Sequence, residues 1–297
     1  MDFLQPRSVA EAVEAARSRP DAVPIHGGTD VMVDINFGRL RPPALLDLTQ
    51  IPELSAWEMT DGVLRIGAGV TYARLITELG PMLPGLAMAS RTVGSPQIRN
   101  RGTLGGNLGS ASPAGDTLPV LLAAGAVVEA TSAGGTRQIP AGDFFTGVKR
   151  HALRPGELIT AVLVPPAPGP QQFSKIGTRN AMVIAVASFA LELDPARRRV
   201  GTGIGSAAPT PRRAPAAEEF LAGVLTERGL WDHPGELGDE VAGRFGALVA
   251  AAADPIDDVR GTSRYRTHTL KVMARRALGW AWHDYTGQPG EYGERAG

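Results

Sequence analysis

Two double-glycine segments constrain this chain more than any other feature. The first, PIHGGTDVMVD, spans residues 24–34, and the second, RGTLGGNLGSASPAGDTLP, spans residues 101–119. The first follows a strand-like run and both carry Thr, Asp or Asn beside the glycines, where the backbone can approach a ligand and turn its N–H groups toward an anion. One such turn is ordinarily only a turn. Two of them suit a bound pyrophosphate held by backbone N–H groups and hydroxyls. A P-loop would need Lys-Ser or Lys-Thr after the last glycine, and here the only cation is Arg101 at the start. A resident dinucleotide fits better than a reacting triphosphate.

Other motifs yield to plainer readings. GIGSAA (203–208) matches the loose dinucleotide pattern, but Pro209 and Pro211 cannot open the helix it requires. GAGVTY (67–72) fails at the third glycine. The five histidines, at 26, 151, 233, 268 and 283, show no metal spacing, although His26 adjoins the first glycine pair. Asp116 has two compatible readings: an N-cap for the helix TLPVLLAAG, or an acceptor for a ribityl or ribose hydroxyl. The arginine runs at 197–199 and 275–276 read as solvated surface, with an acidic partner as the alternative.

Composition removes whole classes of function. Lys plus Arg and Asp plus Glu are 30 each, so there is no basic footprint for nucleic acid. The absence of cysteine excludes disulfides, thiolate zinc sites and cysteine-ligated iron–sulfur clusters, and fits a reducing compartment. The N-terminus lacks the apolar stretch of a signal peptide, and no apolar run reaches the length of a membrane span, about 18 residues. A cytoplasmic protein without a membrane span is expected.

Periodicity predicts mixed helix and strand. Ser8 and Glu11 open an Ala-rich helix running to about Arg19. Strands are expected at DAVPI, 44–50, 63–70, AVVEAT, GTRQIP, 157–166, ASFALEL and RVGTGIG. Thr71 caps a helix that stops at Gly80, and helices resume from about Ala214. The last, from Ser263, carries Leu270, Met273, Ala277 and Trp280 at helical spacing and should face a core. PPAPGP is the clearest break and marks a domain boundary. The expected division is residues 1–170, with subdomains 1–57 and 58–170, then 171–285, then a loose tail at 286–297.

GGTDV and TLGGNLGSASPAGD, in that order and about 75 residues apart, resemble the FAD-binding medium subunits of molybdenum hydroxylases, the carbon monoxide dehydrogenase and xanthine dehydrogenase family. FTGVKRHALRPGELITAVLVP, KIGTRNAMVIAVASFAL and PIDDVRGTSRYRTHTLKVMARRAL extend the resemblance over roughly residues 2–283. It implies an α+β chain: a two-subdomain FAD-binding fold of the vanillyl-alcohol oxidase type, then a C-terminal α+β flavoprotein domain. It also implies an electron-transfer role. FAD, bound non-covalently, would take electrons from the [2Fe-2S] clusters of a small subunit and deliver them to NAD, a quinone or oxygen. The molybdenum cofactor would sit on a large subunit, in a heterotrimer or a dimer of heterotrimers.

Carried over by position, His26, Gly27, Gly28, Thr29, Asp30 and Val31 form the first pyrophosphate segment. Thr103, Leu104, Gly105, Gly106 and Asn107 form the second. Ser112 and Asp116 face the ribityl–phosphate region, Val93 packs near the flavin or adenine, and Leu158 or Ile159 and Lys175 close the site. No catalytic acid–base residue and no metal ligand are implied. A free-standing FAD oxidoreductase with its own small substrate is the alternative, and a scaffold that has lost the cofactor is a third reading.

Overall fold

The computed structural model describes residues 1–287. Three larger sheets and a two-stranded one, Phe145–Gly147 with Arg150–His151, organise it. A small parallel sheet places strand Ala44–Asp47 between Asp2–Leu4 and Ala22–Ile25. The helix Val9–Ser18 buries Ala12, Val13 and Ala16, and Ser8 Oγ caps it by accepting from the Glu11 N–H at 3.2 Å. Glu11 reaches back to the Arg7 N–H at 2.8 Å, one residue before the cap, so the box closes in a shifted form.

The second sheet is antiparallel and five-stranded: Trp57–Thr60, Val63–Gly67, Leu158–Val164, Val127–Ser132 and Gly135–Pro140, in that spatial order. Its last two strands form a hairpin that pairs Ser132 with Gly135. The third sheet, Gln171–Ile176, Ala187–Asp194 and Arg199–Gly205, is also antiparallel. Helices Pro215–Glu227, Asp239–Ala251 and Ser263–Thr286 complete the C-terminal part.

Strand Ala187–Asp194 is buried at every position, so it lacks the in–out alternation of a half-exposed strand. Its two faces serve different cores. Ala190 joins Phe173 in the first core, with Leu86 of helix Pro84–Arg91 and Leu122 of helix Leu118–Ala123. Phe189, Leu191 and Leu193 join the second, against Leu221, Phe245 and Leu270 of the C-terminal helices. Gly201 and Gly203 let the neighbouring strand lie directly on helix Leu118–Ala123. A Cβ there would come within 2.0 Å of Ala123 O and 1.9 Å of Pro119 O respectively. This close approach, rather than nucleotide binding, accounts for the GIG motif.

Three expectations need correction. Trp280 does not face the core: it is 40% exposed, and the buried face of the last helix runs through Leu270, Met273, Ala277, Leu278, Ala281 and Trp282. Thr286 belongs to that helix and Gly287 ends it at φ +64°, so these two residues are not loose; the rest of the expected tail lies outside the described residues. The second glycine segment is not a loop. Leu104–Ser110 is a helix with Thr103 as its cap, despite three glycines in seven residues.

Candidate cofactor-binding site

The two glycine segments meet at one cleft of about 580 Å³. Of the expected site residues, His26 to Val31, Thr103, Gly105, Gly106, Asn107, Leu158 and Ile159 line it. The side chains approach closely because glycines leave room. A Cβ on Gly27 would stand 2.0 Å from Arg101 O, one on Gly105 would stand 2.5 Å from Ala68 Cβ, and one on Gly69 would stand 2.5 Å from His26 Nε2.

The two segments contribute different chemistry. Among the described residues, no acceptor takes the backbone N–H groups of Gly28, Thr29, Asp30 or Val31. Gly28 sits at φ +74°, a left-handed conformation suited to such a run of donors, and all four residues line the cleft. In the second segment the N–H groups from Leu104 to Asn107 are already used: Leu104 donates to Val70 O at 3.1 Å, Gly105 to Ala68 O at 2.8 Å, Asn107 to Thr103 O at 3.1 Å and Gly106 to Thr103 Oγ1 at 2.9 Å. The expectation of two backbone nests is therefore corrected to one. The second segment offers bare glycine surface, the Thr103 hydroxyl and the Asn107 amide. Thr117 Oγ1 donates to Asn107 Oδ1 at 2.6 Å and leaves Nδ2 without a partner among the described residues.

Five expected residues do not line this cleft. Leu104 is fully buried in the core, so only its backbone is near the site. Val93 packs against the first core and Ser112 Oγ accepts from the Ala114 N–H at 3.3 Å. Asp116 and Lys175 form a separate buried pair at 2.5 Å, with side chains 7% and 8% exposed. Lys175 Nζ also donates to Thr92 O at 3.1 Å. Asp116 does not cap the helix that follows; Thr117 is the cap position and makes no side-chain cap bond. Burial pushes the Asp116 carboxyl up, against the pull of Lys175 and the Thr92 hydroxyl 3.1 Å away. Its Oδ1 is buried with no partner among the described residues.

The sequence reading missed several residues of the cleft. Ala68, Gly69 and Tyr72 line it, as do Ser110, His151 and Arg154. The first three lie in GAGVTY, whose failed dinucleotide pattern gives no sign of the cleft. The usable signal was smallness: small residues at a strand end, where Gly105 packs on Ala68. His26 Nε2 and His151 Nδ1 are buried without partners among the described residues. Burial lowers both imidazoles, and Arg101 adds to the effect on His26.

These features fit a flavin dinucleotide. Four free N–H groups suit a pyrophosphate, the cleft lies within the usual range for ligand sites of roughly 300–1,000 Å³, and its buried ring nitrogens, His26 Nε2 and His151 Nδ1, are polar atoms still lacking partners. Among the described residues no cluster of three or more His, Asp or Glu could hold a metal ion, and no helix is long and apolar enough to cross a membrane.

Comparison with known proteins agrees. Residues 1–167 match the family model of the FAD binding domain in molybdopterin dehydrogenase, and residues 172–281 match that of the CO dehydrogenase flavoprotein C-terminal domain. The nicotine 6-hydroxylase medium subunit of Paenarthrobacter nicotinovorans is 30% identical, over 93% of this chain and 95% of its own length. The carbon monoxide dehydrogenase medium chain of Afipia carboxidovorans is 30% identical, again over 93% and 95%. A crystallised carbon monoxide dehydrogenase of Hydrogenophaga pseudoflava superposes with a TM-score of 0.86 at 28% identity, covering 96% of this chain and 98% of that one. This chain belongs to the FAD-binding flavoprotein subunits of the molybdenum hydroxylases, a family of oxidoreductases.

Proposed function

We propose that this chain is the electron-transfer subunit of such a hydroxylase, taking electrons from the iron–sulfur clusters of a small subunit and passing them to NAD, a quinone or oxygen. Substrate oxidation would occur at the molybdenum cofactor of a large subunit. The supporting observation is the pairing of a dinucleotide-sized cleft with a chain that has no cysteine and therefore cannot ligate the clusters itself. The flavin supplies the redox chemistry when bound.

The protein's part is to bind and orient. Gly28 to Val31 would donate backbone N–H groups to the pyrophosphate, with Thr103 and Asn107 adding a hydroxyl and an amide. Glycines 27, 69 and 105 let the surrounding segments pack closely around that junction. Ser112, Asp116 and Lys175 would serve the ribityl side, and residues 1–170 and 171–285 would be the cofactor-binding and C-terminal domains.

The visible spectrum of the full chain, purified alone and after co-expression with its partner subunits, tests this reading. Flavin bands released on denaturation, with iron–sulfur signals only in the co-purified complex, are expected. A colourless protein that takes up no added FAD in either form would overturn it. Yellow protein that oxidises a small substrate unaided would favour the free-standing oxidoreductase.

A further inference from the structure

Tyr72 opens the helix Tyr72–Glu78, and its place is fixed from two sides. Its N–H donates to Gly102 O at 3.0 Å, and Leu104 donates to Val70 O at 3.1 Å. Residues 70–72 thus lie antiparallel to 102–104, across the bridge between Thr71 and Thr103. The ring rests on Gly102, where a Cβ would come within 2.8 Å of Tyr72 Cε2, the carbon next to the one that bears the hydroxyl. Gly27 closes on the same residue: a Cβ on Gly27 would stand 3.1 Å from Gly102 Cα. One glycine therefore separates the phenol ring from the first glycine segment, and Tyr72 stands where the two segments meet.

Its hydroxyl is unlike the other polar groups of the cleft. Tyr72 lines the cleft but is only 4% exposed. The hydroxyl makes no hydrogen bond among the described residues, yet it is not sealed in without a partner as His26 Nε2 and His151 Nδ1 are. It is open to the cleft. Burial raises the phenol, and the charges of Asp116 and Asp30 raise it further, so it stays protonated as a donor.

We propose that the Tyr72 hydroxyl donates to a phosphate oxygen of the bound dinucleotide, supplying the side-chain contact that a P-loop takes from its lysine. The inference rests on the cofactor reading above, which puts the pyrophosphate on Gly28 to Val31. A phenol adds a donor there without adding a charge, and a hydrogen bond to an anionic oxygen is stronger than one between neutral groups. The hydroxyl gives up no partner within the protein when it binds. The ring is already held on Gly102, so little side-chain freedom is lost.

The test is ligand binding to the full chain, stripped of flavin, in the wild type and in Y72F. Titration calorimetry follows FAD and ADP, and fluorescence quenching follows riboflavin, which has no phosphate. In Y72F the affinities for FAD and for ADP should each fall roughly tenfold, about 1.4 kcal/mol, with riboflavin unchanged. The variant keeps the ring on Gly102 and deletes a hydroxyl that bonds nothing, so the thermal midpoint of the flavin-free chain should also stay the same. A lowered midpoint would show that the hydroxyl has a partner inside the protein, and would overturn the proposal. Unchanged affinity for FAD or for ADP would overturn it too, as would an equal fall for FAD and riboflavin. Wild-type protein that binds neither FAD nor ADP would instead sink the cofactor reading, and this contact with it.

Discussion

The buried pair of Asp116 and Lys175 shows how one side chain can be misread. In sequence, an aspartate before a helix is an N-cap; in the structure it reaches Lys175, 59 residues on. Nothing local distinguishes the two, because the partner lies on strand Gln171–Ile176 of the third sheet. Removing one member of a buried pair typically costs about 3–5 kcal/mol, since the other charge is stranded. K175M should therefore lower the urea midpoint markedly, and the double variant with D116L should recover much of the loss. Equal midpoints for wild type and K175M would show that the pair carries no stability. His26 and His151 give a pH signature. Burial depresses both below the ordinary 6.5, so the unfolded chain binds protons first as pH falls. Stability of the flavin-free protein should be full above 6.5 and decline as pH drops toward the folded values. Urea midpoints at several pH values check this, and H26Q with H151Q should flatten the slope.

At the level of elements, most strands were legible, but Asp2–Leu4, Trp57–Thr60, Phe145–Gly147, Arg150–His151 and Gln171–Ile176 were not, and neither was the glycine helix. Residues 44–47, 63–67 and 127–140 alternate or punctuate as strands and hairpins do, and they form where the pattern predicts. Leu104–Ser110 opposes its own propensity, because glycine costs a helix about 1 kcal/mol per residue. What holds it is tertiary: the bonds from Leu104 to Val70 and from Gly105 to Ala68, which no local pattern reveals. The same contacts made GAGVTY part of the cleft without a motif. Close backbone approach also sets the junction between the third sheet and helix Leu118–Ala123. A methyl at Gly203 would meet Pro119 O at 1.9 Å, so the strand must move away. G203A should destabilise by about 1–3 kcal/mol or more and reduce bound flavin, because that helix begins two residues after Asp116. Thermal midpoint and the ratio of flavin to protein absorbance measure both effects.

The whole molecule was legible as an α+β chain, but the sharing of one sheet by two cores was not. A composition break marks where the chain turns, whereas burial on both faces of Ala187–Asp194 emerges only after folding. Because Phe173 and Ala190 complete the first core while Phe189 and Leu191 belong to the second, neither core can open without exposing the other. Calorimetry of the flavin-free chain should show a single cooperative transition; two resolved peaks would show independent units. For the gene, this sheet makes the two parts poor cassettes. A recombination breakpoint at the proline-rich break would graft a strand fitted on one side to foreign helices, and both of its packing surfaces would need compensating substitutions together. The two parts are thus bound to a shared line of descent.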